Sequence, residues 1–323
     1  MAPLPFNLTL VQFFVDHRNV CLTKLFLGAS FVGSADGYVL IAILLYVLWD
    51  KQLAIRLSVL VLLTMSLNEI LKFLIKDPRP FIREGTYLKK WAVSAASAKG
   101  LAAEYSTPSG HAMGSSAFYA YLYAFINNRW VRVAAVLTIV LIGVSRPYLG
   151  VHYVEDVLLG WAFGLSIALV AAKYTGWLSS VWNKFSYGQQ IGITAAVSLA
   201  LFLLSMLING WRIDAQPRDL LGFAGFLTGI VIARPLELRK VNFDPRSSNA
   251  IKKVLRYVLS MGMVLFVLLF FDRVFGAMAD KVSLLGYLLQ YVRYALAGIA
   301  GIFLAPLIFT RLKLAETLPA RII

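Results

Sequence analysis

Residues 145–172 read SRPYLGVHYVEDVLLGWAFGLSIALVAA. From Tyr153 onward the stretch is an apolar run of about 20 residues, the length an α-helix needs to cross a hydrocarbon core about 30 Å thick. Arg146, His152 and Asp156 stand at its head. The stretch is therefore read as a membrane span that presents chemistry at one end. His152 and Asp156 are four residues apart, one helical turn. The carboxylate can then orient one imidazole nitrogen and leave the other as a nucleophile. Pro147 and Gly150 place a turn between Arg146 and the histidine, which lets the guanidinium return to the same ligand. Glu155 points elsewhere on the helix and is read as a rim residue.

The whole chain supports a membrane reading. Its 323 residues are 59% hydrophobic and 15% charged, with mean hydropathy +0.74, more apolar surface than a soluble domain can bury. Apolar runs near 34–50, 54–76, 108–127, 133–148, 153–172, 189–208, 219–234, 254–271 and 286–310 predict nine spans. Residues 6–32 are also apolar but carry Asp16, His17, Arg18 and Lys24. Each charge costs about 2.5–3.5 kcal/mol at a helix centre, so an interfacial amphipathic helix is expected there, retained rather than cleaved.

Lys and Arg accumulate in alternate connections. One side holds Lys51, Arg56, Arg129, Arg132, Lys173, Lys184, the group from Arg234 to Arg256, and Arg311, Lys313 and Arg321. Cytoplasmic loops carry such an excess, so this side and the C-terminus are expected to be cytoplasmic. The net charge of +15 is spread over short connections, which suits anionic headgroups and excludes a nucleic-acid-binding module. Cys21, the single cysteine, excludes an intrachain disulfide and a cysteine metal site.

Two further motifs end apolar runs on the opposite side. Lys72 and Arg79 are seven residues apart, two helical turns, and are expected on one helix face before Pro78 and Pro80 stop the helix. A planar guanidinium and a compact ammonium suit phosphoryl oxygens, although either alone reads as a snorkelling boundary residue. In Ser106-Thr107-Pro108-Ser109-Gly110-His111 a helix is expected to start, capped by Ser106 or Thr107. The amides of Ser109, Gly110 and His111 would then face an anion. His111 is placed to protonate a leaving group, and Gly110 to let the backbone approach a phosphate. With His17 read as a surface residue, the remaining two histidines both sit in motifs. Their neighbours are mainly basic, so no metal and no cofactor is expected.

The ordered set Lys72-x6-Arg79-Pro80, Pro108-Ser109-Gly110-His111 and Ser145-Arg146-x5-His152-x3-Asp156 resembles the type 2 phosphatidic acid phosphatase superfamily, which includes lipid phosphatases, glucose-6-phosphatases and vanadium haloperoxidases. The resemblance implies that His152 attacks phosphorus to form a phosphohistidine, that His111 protonates the leaving group, and that Asp156 orients His152. It implies that Lys72, Arg79, Ser109, Gly110 and Arg146 hold the phosphoryl oxygens.

The expected fold is thus an all-α polytopic bundle: an N-terminal segment 1–33, a catalytic core 34–173 of the superfamily's type, and residues 174–323 adding about four transmembrane helices and a tail. The expected protein is a membrane phosphatase acting on a lipid phosphate or diphosphate. It would lie in a bacterial inner membrane, with the site facing the periplasm or exterior. A glucose-6-phosphatase-like hydrolase, a lipid phosphotransferase and a non-catalytic lipid-phosphate transporter are the competing readings. Pure binding would not need an aligned nucleophile, which disfavours the transporter. The C-terminal part carries no histidine; substrate entry and homodimerisation are the two uses left open. Its glycines at 222, 225 and 229 predict close helix packing. Residues 77–107 hold Tyr87, Lys89, Lys90, Trp91 and the small-residue stretch 92–103, read as either a lid or an ordinary connection.

Overall fold

The computed structural model describes residues 5–80, 101, 104–213 and 217–318. Its elements are helices: α1 (Pro5–Asp16), α2 (Val20–Val32), α3 (Ala35–Leu48), α4 (Lys51–Ile75), α5 (Gly110–Phe125), α6 (Arg129–Leu149), α7 (Val154–Trp182), α8 (Tyr187–Ile208), α9 (Pro217–Lys240), α10 (Ala250–Met278) and α11 (Leu284–Ile299), which continues through a π turn, Ala300–Leu304, into α12 (Ala305–Arg311). Among the described residues β pairing is limited to the isolated bridge between Phe243 and Thr317. The protein is an all-α membrane bundle.

All nine predicted runs fall on helices, but the span count changes. Seven helical segments are long and apolar enough to cross a membrane, or up to eight if α2 and α3, bent by 61°, form one span. The two that fall short alone are α3, with 14 residues, and α5, with 16. At 1.5 Å per residue α5 measures about 24 Å, less than a hydrocarbon core. It is largely buried and joined to α6 by a three-residue link, 126–128, so its length answers to neighbouring helices more than to lipid.

The chain divides into two compact units, one of Met1–Tyr38 with Leu63–Thr175, the other of Val39–Leu62 with Gly176–Ile323. In the first, α5 and α7 approach closely because α7 offers Gly160 and Gly164. A Cβ on Gly160 would stand 2.8 Å from the Ser109 carbonyl oxygen, and one on Gly164 2.3 Å from that of Met113. No larger side chain fits without separating the two helices.

The N-terminal segment is two helices rather than one, divided at Asn19, whose side chain caps α2 by accepting from Leu22 N. Its polar residues reach inward. Arg18 donates to the Tyr148 carbonyl through Nε (2.9 Å) and Nη2 (2.7 Å), and Asn7 Oδ1 accepts from Val154 N at 3.3 Å. Phe14 and Phe26 pack on Tyr148, Leu149 and Val151. A segment whose charges suggested the interface therefore braces the turn that carries His152. His17 is exposed and stacks on Phe13.

In the second unit the predicted glycine packing is present. Cβ atoms on Gly225 and Gly229 would stand 2.2 Å from the Tyr291 carbonyl oxygen and 2.3 Å from that of Ala295, so α9 lies directly against α11. Tyr87, Lys89, Lys90, Trp91 and the 92–103 stretch lie outside the described residues, except for Leu101.

Candidate active site

Four helix ends and the loops beside them supply the site in the first unit. α4 stops at Ile75 because Lys76 takes a left-handed conformation (φ 54°) ahead of Pro78. Lys72 is thus in the last turn, while Arg79 lies beyond the helix in the following loop. The expectation of one shared helix face is corrected: the chain turns and brings Arg79 back. Both are buried.

Arg79 organises the site. Its Nη1 is 3.0 Å from His152 Nε2 and 3.3 Å from the Val151 carbonyl oxygen, and its Nη2 is 2.8 Å from Glu104 Oε2. A guanidinium can only donate, so Nε2 accepts and Nδ1 carries the imidazole proton. That proton faces Ser106 Oγ at 3.2 Å and Asp156 Oδ2 at 3.4 Å. His152 lies ahead of α7, not on it, and Asp156 is in the helix's first turn. The carboxylate thus stays within direct reach of the imidazole, as the four-residue spacing implies, although His152 is not itself helical. Ser106 Oγ, 2.5 Å from Asp156 Oδ2, stands beside both groups.

Asp156 is fully buried and well supplied with donors. Ser106 and Thr107 hydroxyls and Tyr153 N (2.9 Å) all donate to its carboxylate. This corrects the reading of Ser106 or Thr107 as a helix cap. The cap is Ser109, whose side chain accepts from Ala112 N, and the Ser109 amide donates to the Asp156 carbonyl rather than to an anion. Gly110 faces Met65 and Asn68 of α4, where a Cβ would stand 3.0 Å from Asn68 Oδ1, so the glycine answers to helix packing. Asn68 in turn donates to the Pro108 carbonyl at 3.0 Å and holds the loop that leads into α5.

Arg146, in the last turn of α6, is buried; Nη1 donates to Ser30 Oγ at 2.5 Å, and Nε has no hydrogen-bond partner among the described residues. It lies within electrostatic reach of Arg79 and Glu104. His111, in the first turn of α5, feels the charges of Arg146, Arg79 and Lys72. Glu155, read as a rim residue, instead accepts a hydrogen bond from Asn7.

Two carboxylates went unrecognised in the sequence. Glu69 is 2.8 Å from Lys72 Nζ, and Glu104 bridges Lys72 (3.4 Å) and Arg79 (2.8 Å). The cations Lys72, Arg79 and Arg146 dominate the charge around the two histidines, as expected, while Glu69 and Glu104 pair with Lys72 and Arg79. Burial raises the Glu104 pKa, but the adjacent Lys72 and Arg79 outweigh it and hold the group below its ordinary value. Burial, then the charges of Arg79, Arg146 and Lys72, hold His152 well below the usual imidazole range, so it is neutral at pH 7. Among the described residues no group of three His, Cys, Asp or Glu side chains is arranged to hold a metal ion.

Fold and site together define a class, an integral membrane phosphatase. Residues 53–180 match the PAP2 superfamily, and residues 221–317 match the PAP2 superfamily phosphatase transmembrane extension. The chain belongs to the PAP2 superfamily, the type 2 phosphatidic acid phosphatases. It is 24% identical over 317 residues to sphingosine-1-phosphate phosphatase 1 of Mus musculus, covering 86% of this chain and 70% of the relative. It is 29% identical over 133 residues to undecaprenyl-diphosphatase of Sulfolobus acidocaldarius, covering 41% and 60%. Among solved structures, Aquifex aeolicus LpxE aligns with a TM-score of 0.45 at 21% identity over 54% of this chain and 99% of that one.

Proposed function

We propose that the protein hydrolyses the terminal phosphate of a lipid phosphate or diphosphate. His152 Nε2 attacks phosphorus, and the bond to the leaving oxygen breaks as His111 protonates that oxygen. Water then cleaves the phosphorus–nitrogen bond, regenerating the neutral imidazole and releasing inorganic phosphate. Asp156, together with Ser106, keeps the Nδ1 proton in place and offsets the charge the ring gains when phosphorylated. Lys72, Arg79, Arg146 and the first-turn amides of Gly110 and His111 hold the equatorial oxygens, with Ser109 capping the helix that aims those amides. Glu104 yields its place beside Lys72 and Arg79 to the arriving phosphate.

The observation that carries this reading is the polarity of His152: a lone pair on Nε2 directed at the arginine, and a proton on Nδ1 directed at Ser106 and Asp156. A lipid substrate is supported by the site's position at helix ends, where a headgroup can be held while its tail stays in the bilayer, and by relatives named for sphingosine 1-phosphate and undecaprenyl diphosphate. The test is phosphate release from a panel of lipid phosphates and glucose 6-phosphate in the presence of chelator. Lipid phosphates should be cleaved and glucose 6-phosphate spared; equal rates on both would defeat the assignment.

Residues 34–173 would form the catalytic segment, with the site on the non-cytoplasmic side and the C-terminus cytoplasmic. The basic residues of 234–256 support that orientation. Cysteines placed at Ser247 and Gly85 in a Cys21→Ser background should react with an impermeant thiol reagent from opposite faces.

A further inference from the structure

Away from the histidines, the second unit holds another cluster of charge. Asp272 of α10 pairs with Arg293 of α11, and the same carboxylate is approached by Lys281 Nζ at 2.9 Å and Arg218 Nη2 at 3.7 Å. Arg293 is nine residues past Leu284, about 14 Å along α11, and Asp272 is six residues before Met278, about 9 Å from the end of α10. Both lie inside helices long and apolar enough to cross a membrane. Charged groups on such helices mark sites of interaction more often than simple packing.

Among the described residues three cations converge on the one carboxylate of Asp272. A structural pair that pins α10 to α11 needs Arg293 and Asp272 alone. Arg218 also donates to the neutral Gln290 Oε1, at 3.3 Å. Arg293 is 8% exposed, and its Nε is buried with no hydrogen-bond partner among the described residues. The three cations line one cleft, whose other walls include Phe271, Phe275 and Leu289. Cations gathered beside apolar walls suit a ligand with an anionic head and a hydrocarbon body.

We propose that this cleft binds the phosphate of an anionic membrane lipid, with Arg218, Lys281 and Arg293 as its donors and the apolar walls against the acyl chains. It is separate from the catalytic histidines and assigns a ligand to the part of the chain that carries no catalytic group.

The test uses full-length protein in phosphatidylcholine vesicles containing spin-labelled phosphatidylglycerol, or spin-labelled phosphatidylcholine as reference. Vanadate is added so that label held at the catalytic site drops out. The wild type should immobilise the phosphatidylglycerol label in preference to the phosphatidylcholine label. The Arg218→Gln/Lys281→Gln double variant, whose changes lie at partly exposed positions, should lose about fivefold in that preference for each cation removed. Its hydrolysis of a detergent-solubilised lipid phosphate should stay at the wild-type rate. Equal immobilisation of the two labels by the wild type, or a preference unchanged in the double variant, would overturn the proposal. Displacement of the label by inorganic phosphate, with the bilayer intact, would also overturn it by assigning the cleft to a soluble anion.

Discussion

Two buried ionic networks, one in each unit, show how differently the same residue types can be used. In the second unit Glu237 is fully buried, and every neighbour is spent on it. Lys51 Nζ lies 2.8 Å away, Arg234 Nη1 2.9 Å and Phe243 N 3.2 Å, with Lys51 also over the Phe243 ring. The network ties the loop after α9 to the start of α4. In the first unit the charges are as deeply buried, but some capacity is held back. His152 Nε2 is met only through a hydrogen bond from Arg79, Arg146 Nε lacks a partner among the described residues, and Glu104, the carboxylate shared by Lys72 and Arg79, is 36% exposed. A saturated buried network holds the fold; an unsaturated one with an exchangeable anion is poised to take a ligand.

The comparison predicts opposite phenotypes for mutations in the two networks. His152→Ala should lower turnover by about four powers of ten or more, the scale of losing a nucleophile, while vanadate binding and thermal stability in detergent persist. Labelled phosphoenzyme trapped on His111 instead of His152 would reverse the assigned roles. Lys51→Ala should do the reverse. Leaving Glu237 buried beside a lost partner costs about 3–5 kcal/mol, visible as a lower unfolding temperature, with normal activity per folded molecule. If Lys51→Ala abolished activity at full stability, the contrast between the networks would fail.

Smaller effects sharpen the first unit. Ser106→Ala removes the hydroxyl that contacts both His152 and Asp156 and should lower kcat by about tenfold to a hundredfold with little change in KM. A change confined to KM would make Ser106 a binding residue. Glu104→Gln should tighten vanadate inhibition by about tenfold, since the anion must no longer displace a resident carboxylate; weaker inhibition would make Glu104 a support for the clamp instead. The smallest effect concerns pH. His152 is held well below the imidazole range, so the free enzyme keeps its neutral nucleophile as pH falls through about 6.5. The acid limb of kcat/KM should therefore lie below that pH, and a limb at or above it would contradict the neutral, buried histidine.

The span positions and the three motifs were legible because both are local. Hydropathy reports burial in lipid over some 20 residues, and each motif is a short string. Geometry that depends on which helix ends meet was not legible. Ser106 and Thr107 looked like caps because a hydroxyl before proline caps many helices. Only Asp156, fifty residues on, explains why these two point elsewhere. Glu69 and Glu104 had no motif, and their signal was limited to being acidic in or beside an apolar stretch. The N-terminal charges read as interfacial because Tyr148, the acceptor for Arg18, is 130 residues away.

By itself, then, the sequence determined that the chain crosses a membrane as helices and that two histidines, one aspartate and three cations gather at their ends. Local hydropathy and short-range spacing suffice for that. The tertiary structure alone decided how these groups are joined: Arg79 beyond its helix, His152 ahead of α7, Ser106 against both imidazole and carboxylate, and Glu104 across the clamp. Hydrogen bonds between residues far apart in sequence depend on the packing of α4, α5 and α7. That packing is set by glycine contacts a few ångströms wide, which no one-dimensional pattern records.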